Sequence, residues 1–311
     1  MMFSVVICTH NPREEYFRRV VGSIAHLKPC SGKHEVLVVD NNSERPVKDM
    51  SVLRESPVRV VVERRPGLTA ALECAVMNAA GDIIVFIDDD NVADPGYLIV
   101  AEKVFQDPKI GIMSGEVIPE YEAQPGRWFK RFEAPLGIRR LPSDMLFVTS
   151  VPLYSEFYPV GAGMCIRRSI LAEYFSTTSG AERIEGRKGK SLSSGEDLDL
   201  DLFAIRQGFL IGCTRELKLT HLIPPFRTTV EYLIRLTRSS MVSIKQVNDK
   251  WRGVFGVNAF TIFEIGWPTL IAKLSMSLLL YPVRRFRIRF HGYVQMLKLI
   301  ANDRRGLPTS S

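Results

Sequence analysis

"IIVFIDDDNVADP", residues 83–95, places a run of five apolar residues directly before three adjacent aspartates. An apolar run of this length is typical of a buried β-strand, so the acidic residues lie where the strand ends. Neighbouring carboxylates repel one another, and a low-dielectric surrounding strengthens the repulsion. A bound cation would offset this cost, and we therefore expect a divalent-metal site at the end of the strand.

The chain before this stretch repeats the pattern of short apolar runs. Three runs rich in valine and isoleucine precede it: SVVICT (4–9), EVLVVD (35–40) and VRVVVE (58–63). Segments of helical length separate the runs, at residues 14–27 and 67–80. Strands that are apolar on both faces are typical of a parallel sheet covered by helices. We predict an α/β fold with a doubly wound sheet over about the first 110 residues.

Polar residues follow three of the four predicted strands. They are THNPR at 9–13, DNNS at 40–43 and DDDN at 88–91. In doubly wound sheets, ligands bind beyond the carboxyl ends of the strands. The sequence therefore predicts one ligand-binding edge built from these three segments.

The spacing of the three aspartates favours a metal site. In an extended chain Asp88 and Asp90 point to the same side while Asp89 points away. Two convergent carboxylates suit Mg²⁺ or Mn²⁺, which also take phosphate oxygens and water as ligands. The alternative is an acidic turn exposed to solvent. Asp94 is predicted to cap the next helix, with Pro95 in its first turn.

A second acidic cluster follows a polar loop. Residues 176–195 hold almost no apolar side chains, which predicts a mobile loop and an active-site flap. The loop ends at Glu196 and Asp197, which open a predicted helix. A carboxylate there can act as a general base, or it can merely complement the helix dipole. Asp199 and Asp201 fit the second role or a solvated helix face.

The positive charge is concentrated at the end of the chain. Of the Lys and Arg residues, 14 lie in residues 226–311, against 4 Asp and Glu, and the first 225 residues hold 27 against 30. We predict two units: a ligand-binding and catalytic domain at 1–225 and a basic helical region at 226–311. The second unit should face something anionic.

The basic region is not a simple membrane span. The apolar residues 260–282 are interrupted by Glu264, Pro268 and Lys273. The segment after them mixes arginine with phenylalanine, isoleucine and leucine, which is typical of a helix lying on an anionic bilayer. The alternative is a helical pair packed on the first domain, with its arginines solvated. Nucleic-acid binding is not favoured, because Phe286 and Phe290 are too few as stacking platforms.

The remaining composition indicates a cytoplasmic protein. The five cysteines are scattered and odd in number, which predicts reduced thiols. The first ten residues contain no basic segment followed by a long apolar one, so no secretion signal is predicted there.

The motifs in their order resemble a known family. THNPR, VVDNNS, PGLTAALECAVMNAAGDIIVFIDDD, GAGMCIRR and GEDLDL together resemble an inverting family 2 glycosyltransferase with a GT-A fold. The resemblance covers about residues 3 to 235. One departure concerns the helix before the D-x-D strand, where relatives often carry an Arg-Asn pair and this chain has Leu72-Glu73. Arg64 or Arg65 is a candidate substitute.

The resemblance implies a role for each motif. Asp88 and Asp90 are expected to bind Mn²⁺ or Mg²⁺, and Asp197 to act as general base with Glu196 orienting the acceptor. The residues expected to contact the nucleotide-sugar donor are Thr9, Asn11, Arg13, Asp40, Asn42, Asp88 and Asp89. The acceptor edge is expected at Gly161, Ala162 and Gly163.

Two further residues are candidates for the donor site on chemical grounds. His221 can ligate the metal or contact the diphosphate, and its alternative role is a structural histidine beside two prolines. Arg227 can clamp a phosphate, and its alternative is an ordinary surface arginine.

These expectations combine into a metal-dependent inverting glycosyltransferase. It would move a sugar from a nucleotide-diphosphate donor, with a preference for a UDP-sugar, to a hydroxyl of a saccharide or lipid-linked acceptor in polysaccharide or glycolipid synthesis. The expected location is the inner face of the plasma membrane. One alternative is a sugar nucleotidyltransferase, although CTHNPREEYF lacks the Gly-rich phosphate loop of that class. The other is a non-catalytic membrane-surface binding protein with a degenerate GT-A domain.

Overall fold

The structure is a computed structural model that describes residues 1–54, 56–142 and 145–304. The strands of these residues, in chain order, are β1 (Phe3–Thr9), β2 (His34–Asp40), β3 (Arg59–Val62), β4 (Ile83–Phe86), β5 (Asn91–Ala93), β6 (Ile110–Tyr121), β7 (Leu146–Thr149), β8 (Cys165–Arg167) and β9 (Leu210–Ile223). The α-helices are α1 (Glu14–Ala25), α2 (Ser51–Arg54), α3 (Leu68–Asn78), α4 (Tyr97–Val104), α5 (Arg168–Thr177), α6 (Glu196–Arg206), α7 (Val230–Phe255), α8 (Trp267–Leu279) and α9 (Arg284–Arg304).

All these strands join one mixed sheet. Its order is β3-β2-β1-β4-β8-β6-β9-β5, and β7 pairs with β9. The first four strands in this order are parallel, as predicted from their apolar runs. β8 is antiparallel to β4 and β6, which makes the sheet mixed. The register of β1 and β2 sets Thr9 beside Asp40, so the predicted polar strand ends lie at one edge.

The sheet separates two apolar layers. Along β1, Val6 points into one layer and Val5 and Ile7 into the other, because alternate side chains of a strand face opposite sides. Helices α3, α5 and α6 cover the first layer, and α1 and α4 cover the second. This double coverage explains why the predicted strands are apolar on both faces.

The C-terminal helices share the core of the sheet. Val247 and Trp251 of α7 are buried in the first apolar layer. Ile288 of α9 is buried against Leu233 and Leu236 of α7. Among the described residues, no helix combines the length and the apolar character needed to cross a bilayer.

Asp199 joins α6 to its neighbouring helices. Its side chain is fully buried and accepts hydrogen bonds from the indole N–H of Trp251 (2.7 Å) and the hydroxyl of Tyr174 (2.6 Å). Lys250 forms an ion pair with it at 2.7 Å. The expectation of a solvated helix face was therefore wrong for Asp199, because its partners lie on α5 and α7, far away in the sequence.

Asp201 also contradicts the expectation of a solvated position. Its side chain is fully buried, and neither carboxylate oxygen has a hydrogen-bond partner among the described residues. Burial raises the pKa of Asp201 well above its ordinary value, and the nearby charge of Asp197 adds to the rise. Burial thus favours the protonated form of Asp201.

Replacing Asp199 by asparagine should destabilise the fold. The change leaves the ammonium of Lys250 without its buried partner, which costs about 3 kcal/mol of unfolding free energy. Urea denaturation measures this loss. The control is Glu14→Gln, which removes an exposed pair with Arg18 and should cost less than about 0.5 kcal/mol. Equal losses in the two variants would contradict the role given to Asp199.

Candidate active site

The three aspartates lie in a turn after β4. The backbone N–H of Asn91 donates to the carbonyl of Asp88 at 3.0 Å, which closes the turn. The side-chain amide of Asn91 then donates to both Asp88 (2.9 Å) and Asp90 (3.2 Å). Asp89 instead accepts a hydrogen bond from the hydroxyl of Thr9. Asp88 and Asp90 converge as predicted, but the assumed extended strand was wrong, since β4 already ends at Phe86.

Asp90 is paired with two basic side chains. Its Oδ2 lies 2.8 Å from Nη1 of Arg227 and 3.4 Å from Nε2 of His221. His221 reaches this point because β9 pairs with β5 and sets His221 opposite Asn91. Burial raises the pKa of Asp90, but the interactions with His221 and Arg227 outweigh it and hold the pKa well below its ordinary value. Asp90 is therefore ionised.

The negative charges of the other two aspartates, Asp88 and Asp89, are less well balanced by nearby positive charge. Burial, followed by the charge of Asp90, raises the pKa of Asp88 to about 6 and that of Asp89 to about 7. A cation beside Asp88 would remove part of this cost. The turn is thus chemically suited to bind positive charge.

The fit of a metal ion rests on two carboxylates. In the portion of the chain that the structure describes, no three His, Cys, Asp or Glu side chains are arranged as a metal site. The oxygens of Asp88 and Asp90 suit Mg²⁺ or Mn²⁺, which commonly take one or two carboxylates together with substrate phosphates and water. His221 directs Nε2 to Asp90, and its Nδ1 has no hydrogen-bond partner there. The residues present fit an ion completed by a ligand's phosphates.

A second acid pair opens α6. Gly195 precedes it with a φ of 106°, a conformation that favours glycine. The carboxylate of Asp197 accepts hydrogen bonds from the backbone N–H groups of Gly161 (3.1 Å) and Leu198 (2.9 Å). These bonds fix the direction of the carboxylate. They also connect α6 with the predicted acceptor edge.

The environment raises the pKa of both acids in this pair. Burial is the main cause, and it raises the pKa of Asp197 above its ordinary value despite the two backbone hydrogen bonds. Burial and then the charge of Asp197 raise the pKa of Glu196 to about 8. One oxygen of Glu196 is buried without a hydrogen-bond partner among the described residues. The pair thus combines a carboxylate held by N–H donors with an acid that is mostly neutral at pH 7.

Both acid clusters face one cleft. Asp88, Gly161, Glu196 and Asp197 line an open space of about 420 Å³, whose other walls are mainly apolar. A Cβ at position 161 would lie 4.0 Å from Asp197, so this glycine leaves room beside the carboxylate. The structure therefore brings the predicted metal turn and the predicted base together.

The predicted nucleotide edge is also assembled, but its side chains have local partners. The carboxylate of Asp40 accepts hydrogen bonds from the backbone N–H groups of Ser43 and Val47, both at 3.0 Å. These contacts match the alternative role of a turn-forming residue. Asn11 and Asn42 have φ values of 52° and 58°, which asparagine tolerates better than most residues. Asn42 is exposed, while the side chain of Asn11 accepts a backbone hydrogen bond.

Several predicted cations are already paired. Arg13 lies 2.8 Å from Glu122 and over the ring of Tyr16. Arg65, a candidate for the missing arginine of the Arg-Asn pair, lies within 2.8 Å of both Glu63 and Glu73. These arginines are thus neutralised by neighbouring acids.

Of the three residues predicted for the acceptor edge, one borders the cleft and two are packed against the rest of the protein. Ala162 packs against the second apolar layer. Gly163 has a φ of 71°, and a Cβ there would clash with the hydroxyl of Tyr97, which donates to the carbonyl of Gly163. Gly161 is the residue of this stretch that borders the cleft.

The sequence analysis missed one residue near the site, Asn41, and assigned a different role to another, Asp94. The side chain of Asn41 donates to the carbonyl of Arg65 and accepts from the N–H of Gly67, both at 2.7 Å, and so ties β2 to α3. The local signal, an Asp-Asn-Asn cluster, indicated only a turn. Asp94 was expected to cap α4, but Gly96 holds the cap position and Asp94 accepts its N–H at 2.8 Å.

Comparison with known proteins identifies the family of the chain. Residues 4–175, more than half of the chain, match the family described as Glycosyl transferase family 2. The chain therefore belongs to this family, and it is a glycosyltransferase.

Two curated relatives and one solved structure are informative. The uncharacterized glycosyltransferase YwdF of Bacillus subtilis (strain 168) is 32% identical over 101 residues, which are 32% of this chain and 36% of that protein. The chain thus matches about a third of that relative's length. The glucosyl-dolichyl phosphate glucuronosyltransferase of Haloferax volcanii is 22% identical over 241 residues, covering 75% of this chain and 73% of the relative.

The solved structure supports the fold. It is the mannosyltransferase PcManGT from Pyrobaculum calidifontis in complex with GDP-Man and Mn²⁺, with a TM-score of 0.59 and 16% identity. The match covers 97% of this chain and 86% of that one. The predicted GT-A fold with its mixed sheet and helical C-terminal region is confirmed.

Proposed function

We propose that the protein transfers a sugar, with inversion, from a nucleotide-diphosphate donor to an acceptor hydroxyl, and that the reaction depends on Mn²⁺ or Mg²⁺. The observation that carries this proposal is the common cleft of Asp88 and Asp197. A diphosphate held at Asp88 and a base at Asp197 can address two sides of one sugar carbon. Attack opposite the leaving group inverts that carbon.

Asp197 is the proposed general base. As the acceptor oxygen bonds to the anomeric carbon, its proton passes to Asp197. The bond from the anomeric carbon to the diphosphate oxygen breaks, and its electron pair leaves with the nucleoside diphosphate. The N–H groups of Gly161 and Leu198 hold the carboxylate in position for this transfer. Glu196, neutral at pH 7, can donate a hydrogen bond to the acceptor and orient it.

The acidic turn is the proposed donor site. Asp88 and Asp90 would hold the ion, which when bound neutralises charge on the leaving diphosphate. His221 and Arg227 keep Asp90 ionised and oriented. The Mn²⁺ in the PcManGT complex supports the use of a metal. Asp89, held by Thr9, belongs to the same turn.

The nucleoside is proposed to bind along the edge formed by β1 and β2. The residues assigned to it are Thr9, Asn11, Arg13, Asp40 and Asn42. A carboxylate such as Asp40 accepts hydrogen bonds only, which suits the imide N–H of uracil. The solved relative holds GDP-Man, so the proposed test covers more than one base.

A direct test distinguishes this activity from its alternatives. The protein is incubated with nucleotide-sugars and Mn²⁺, and release of nucleoside diphosphate is measured with and without a chelator. Metal-dependent release supports the proposal. Release of inorganic diphosphate from a nucleoside triphosphate and a sugar phosphate would instead identify a nucleotidyltransferase. Absence of turnover with every donor would favour the non-catalytic alternative.

The acceptor is proposed to be a lipid-linked saccharide, reached from the inner face of the plasma membrane. The Haloferax relative is named for a dolichyl phosphate substrate, which supports a lipid-linked class. In the basic region, proposed as a unit at residues 226–311, α8 exposes Leu278 by 59% and Leu279 by 81%. Arg284 and Arg289 are exposed shortly after them. Exposed leucines beside arginines suit an anionic bilayer surface.

The membrane proposal predicts a loss of vesicle binding in one double variant. Leu278→Ser with Leu279→Ser should weaken co-sedimentation with phosphatidylglycerol vesicles at least ten-fold, because each buried leucine contributes roughly 1.5 to 3 kcal/mol. The control is Met77→Ser, which removes a side chain that is 79% exposed on α3. Binding of the parent protein should also fall as salt rises. Equal sedimentation of both variants would refute this contact surface.

A further inference from the structure

The polar loop before α6 is fastened to the cleft. At its start Arg183 forms an ion pair with Glu73 at 3.0 Å and donates to the carbonyl of Phe175 at 2.6 Å. Further along, the N–H of Gly186 donates to the hydroxyl of Thr69 at 3.0 Å. These contacts hold the loop against α3 and α5.

The following residue lies at the rim of the cleft. The backbone N–H of Leu68 donates to the carbonyl of Arg187 at 2.9 Å, and Leu68 also lines the cleft. A Cβ at position 186 would lie 3.0 Å from the carboxyl group of Glu196. The chain therefore passes directly beside Glu196, and the glycine at 186 makes this approach possible.

The side chain of Arg187 starts from the rim of the cleft that both acid clusters line. It is exposed, and within the described ranges it forms no hydrogen bond or ion pair. This long side chain is therefore attached beside the cleft that Asp88 and Glu196 line.

Two other arginines near the site are engaged by acids. Arg227 is paired with Asp90, and Arg65 with Glu63 and Glu73. Arg187 therefore differs from them, because its charge is available to an anion that enters the cleft.

We propose that Arg187 binds the diphosphate of the donor and places a positive charge beside this leaving group. This inference rests on the proposed function, and it gives the loop a specific task at the donor site. The forked guanidinium can donate two parallel hydrogen bonds to one phosphate, which suits the terminal phosphate of a nucleoside diphosphate.

Titration calorimetry with two ligands of the same base tests this assignment. In the presence of Mn²⁺, Arg187→Gln should weaken binding of the nucleoside diphosphate about ten-fold and change that of the monophosphate less than about two-fold. Arg187→Lys should restore part of the diphosphate affinity, because it keeps the charge. Lys190→Gln is the matched control, since it removes an exposed charge from the same loop and should leave both affinities unchanged.

The outcomes separate this inference from the proposed function. If the parent protein binds the diphosphate and Arg187→Gln binds it equally well, the role of Arg187 is overturned and the proposed function stands. Equal weakening of diphosphate and monophosphate would also overturn it, because the effect would not depend on the terminal phosphate. If the parent protein binds neither ligand, the result contradicts the proposed function itself.

Discussion

Replacing Asp197 by asparagine is expected to lower the rate of sugar transfer about 1,000-fold and to change donor affinity less than about two-fold. An amide cannot take up the proton of the attacking hydroxyl. It can still accept one of the two backbone hydrogen bonds from Gly161 and Leu198, so the fold of the cleft should persist. The measurements are the turnover number and, by calorimetry, the affinity for the nucleoside diphosphate.

The control for this experiment is Glu185→Gln, which removes one exposed negative charge eleven residues before α6 begins. It should transfer sugar at the parent rate. Parallel losses of donor affinity and turnover in Asp197→Asn would show that Asp197 supports structure rather than proton transfer.

The pH profile of the parent enzyme has an expected direction. As the proposed general base Asp197 would act in its ionised form, and burial raises its pKa, so the rate should fall in acid already above the ordinary range of an aspartate. Glu196 orients the acceptor in its neutral form, so the rate should fall again above its pKa of about 8. A bell-shaped profile should result, and Asp197→Asn should lack its acid limb.

Replacing Asp88 by asparagine is expected to weaken metal-dependent nucleotide binding at least 100-fold, because the turn loses one of two proposed ligand carboxylates. Asp88 is a better position for this substitution than Asp90. Asp90→Asn would also leave the buried guanidinium of Arg227 without its partner. The measurement is calorimetric titration with UDP, GDP, TDP and CMP, each with Mn²⁺ and with a chelator.

Asp94→Asn is the matched control for the acidic turn. Asp94 is exposed, and among the described residues its carboxylate accepts only the local N–H of Gly96, so its loss should not affect nucleotide binding. Binding that persists in the chelator, or that is unchanged in Asp88→Asn, would contradict the metal site. The nucleotide that binds best in the parent protein identifies the donor class.

Local patterns were sufficient to predict the sheet. The four apolar runs near the N-terminus became β1 to β4 because apolar strands suit a sheet covered by helices, and three of the runs end in polar residues. The strand ends therefore predicted the ligand edge as well. β8 and β9 were harder to predict, since their pairing joins segments that are far apart in the sequence.

The site was predictable in its motifs and less so in its geometry. The order of the motifs indicated the family, while their spacing gave no sign that a turn at Asn91 brings Asp88 and Asp90 together. Arg187 carries no local signal either, because its significance depends on α3 and α6 packing beside the loop. The roles of the individual site residues stay predictions, as does the division of the chain after residue 225.

The burial of Asp199 could not be read from a run of alternating acids and leucines. Its partners Lys250 and Trp251 lie about fifty residues later, and only the tertiary structure supplies them. A segment that looks solvated in sequence was therefore placed in the core by long-range electrostatic and hydrogen-bonding partners.

Asp199 has a further consequence for how distant changes reach the reaction. It follows Asp197 by two residues on the same helix, and α7 contacts it through an ion pair from Lys250 and a hydrogen bond from Trp251. A small rotation of α7 would turn α6 with it and change the angle between Asp197 and the sugar. Substitutions along the outer surface of α7 are therefore expected to move the proposed base and to change turnover without contacting either substrate.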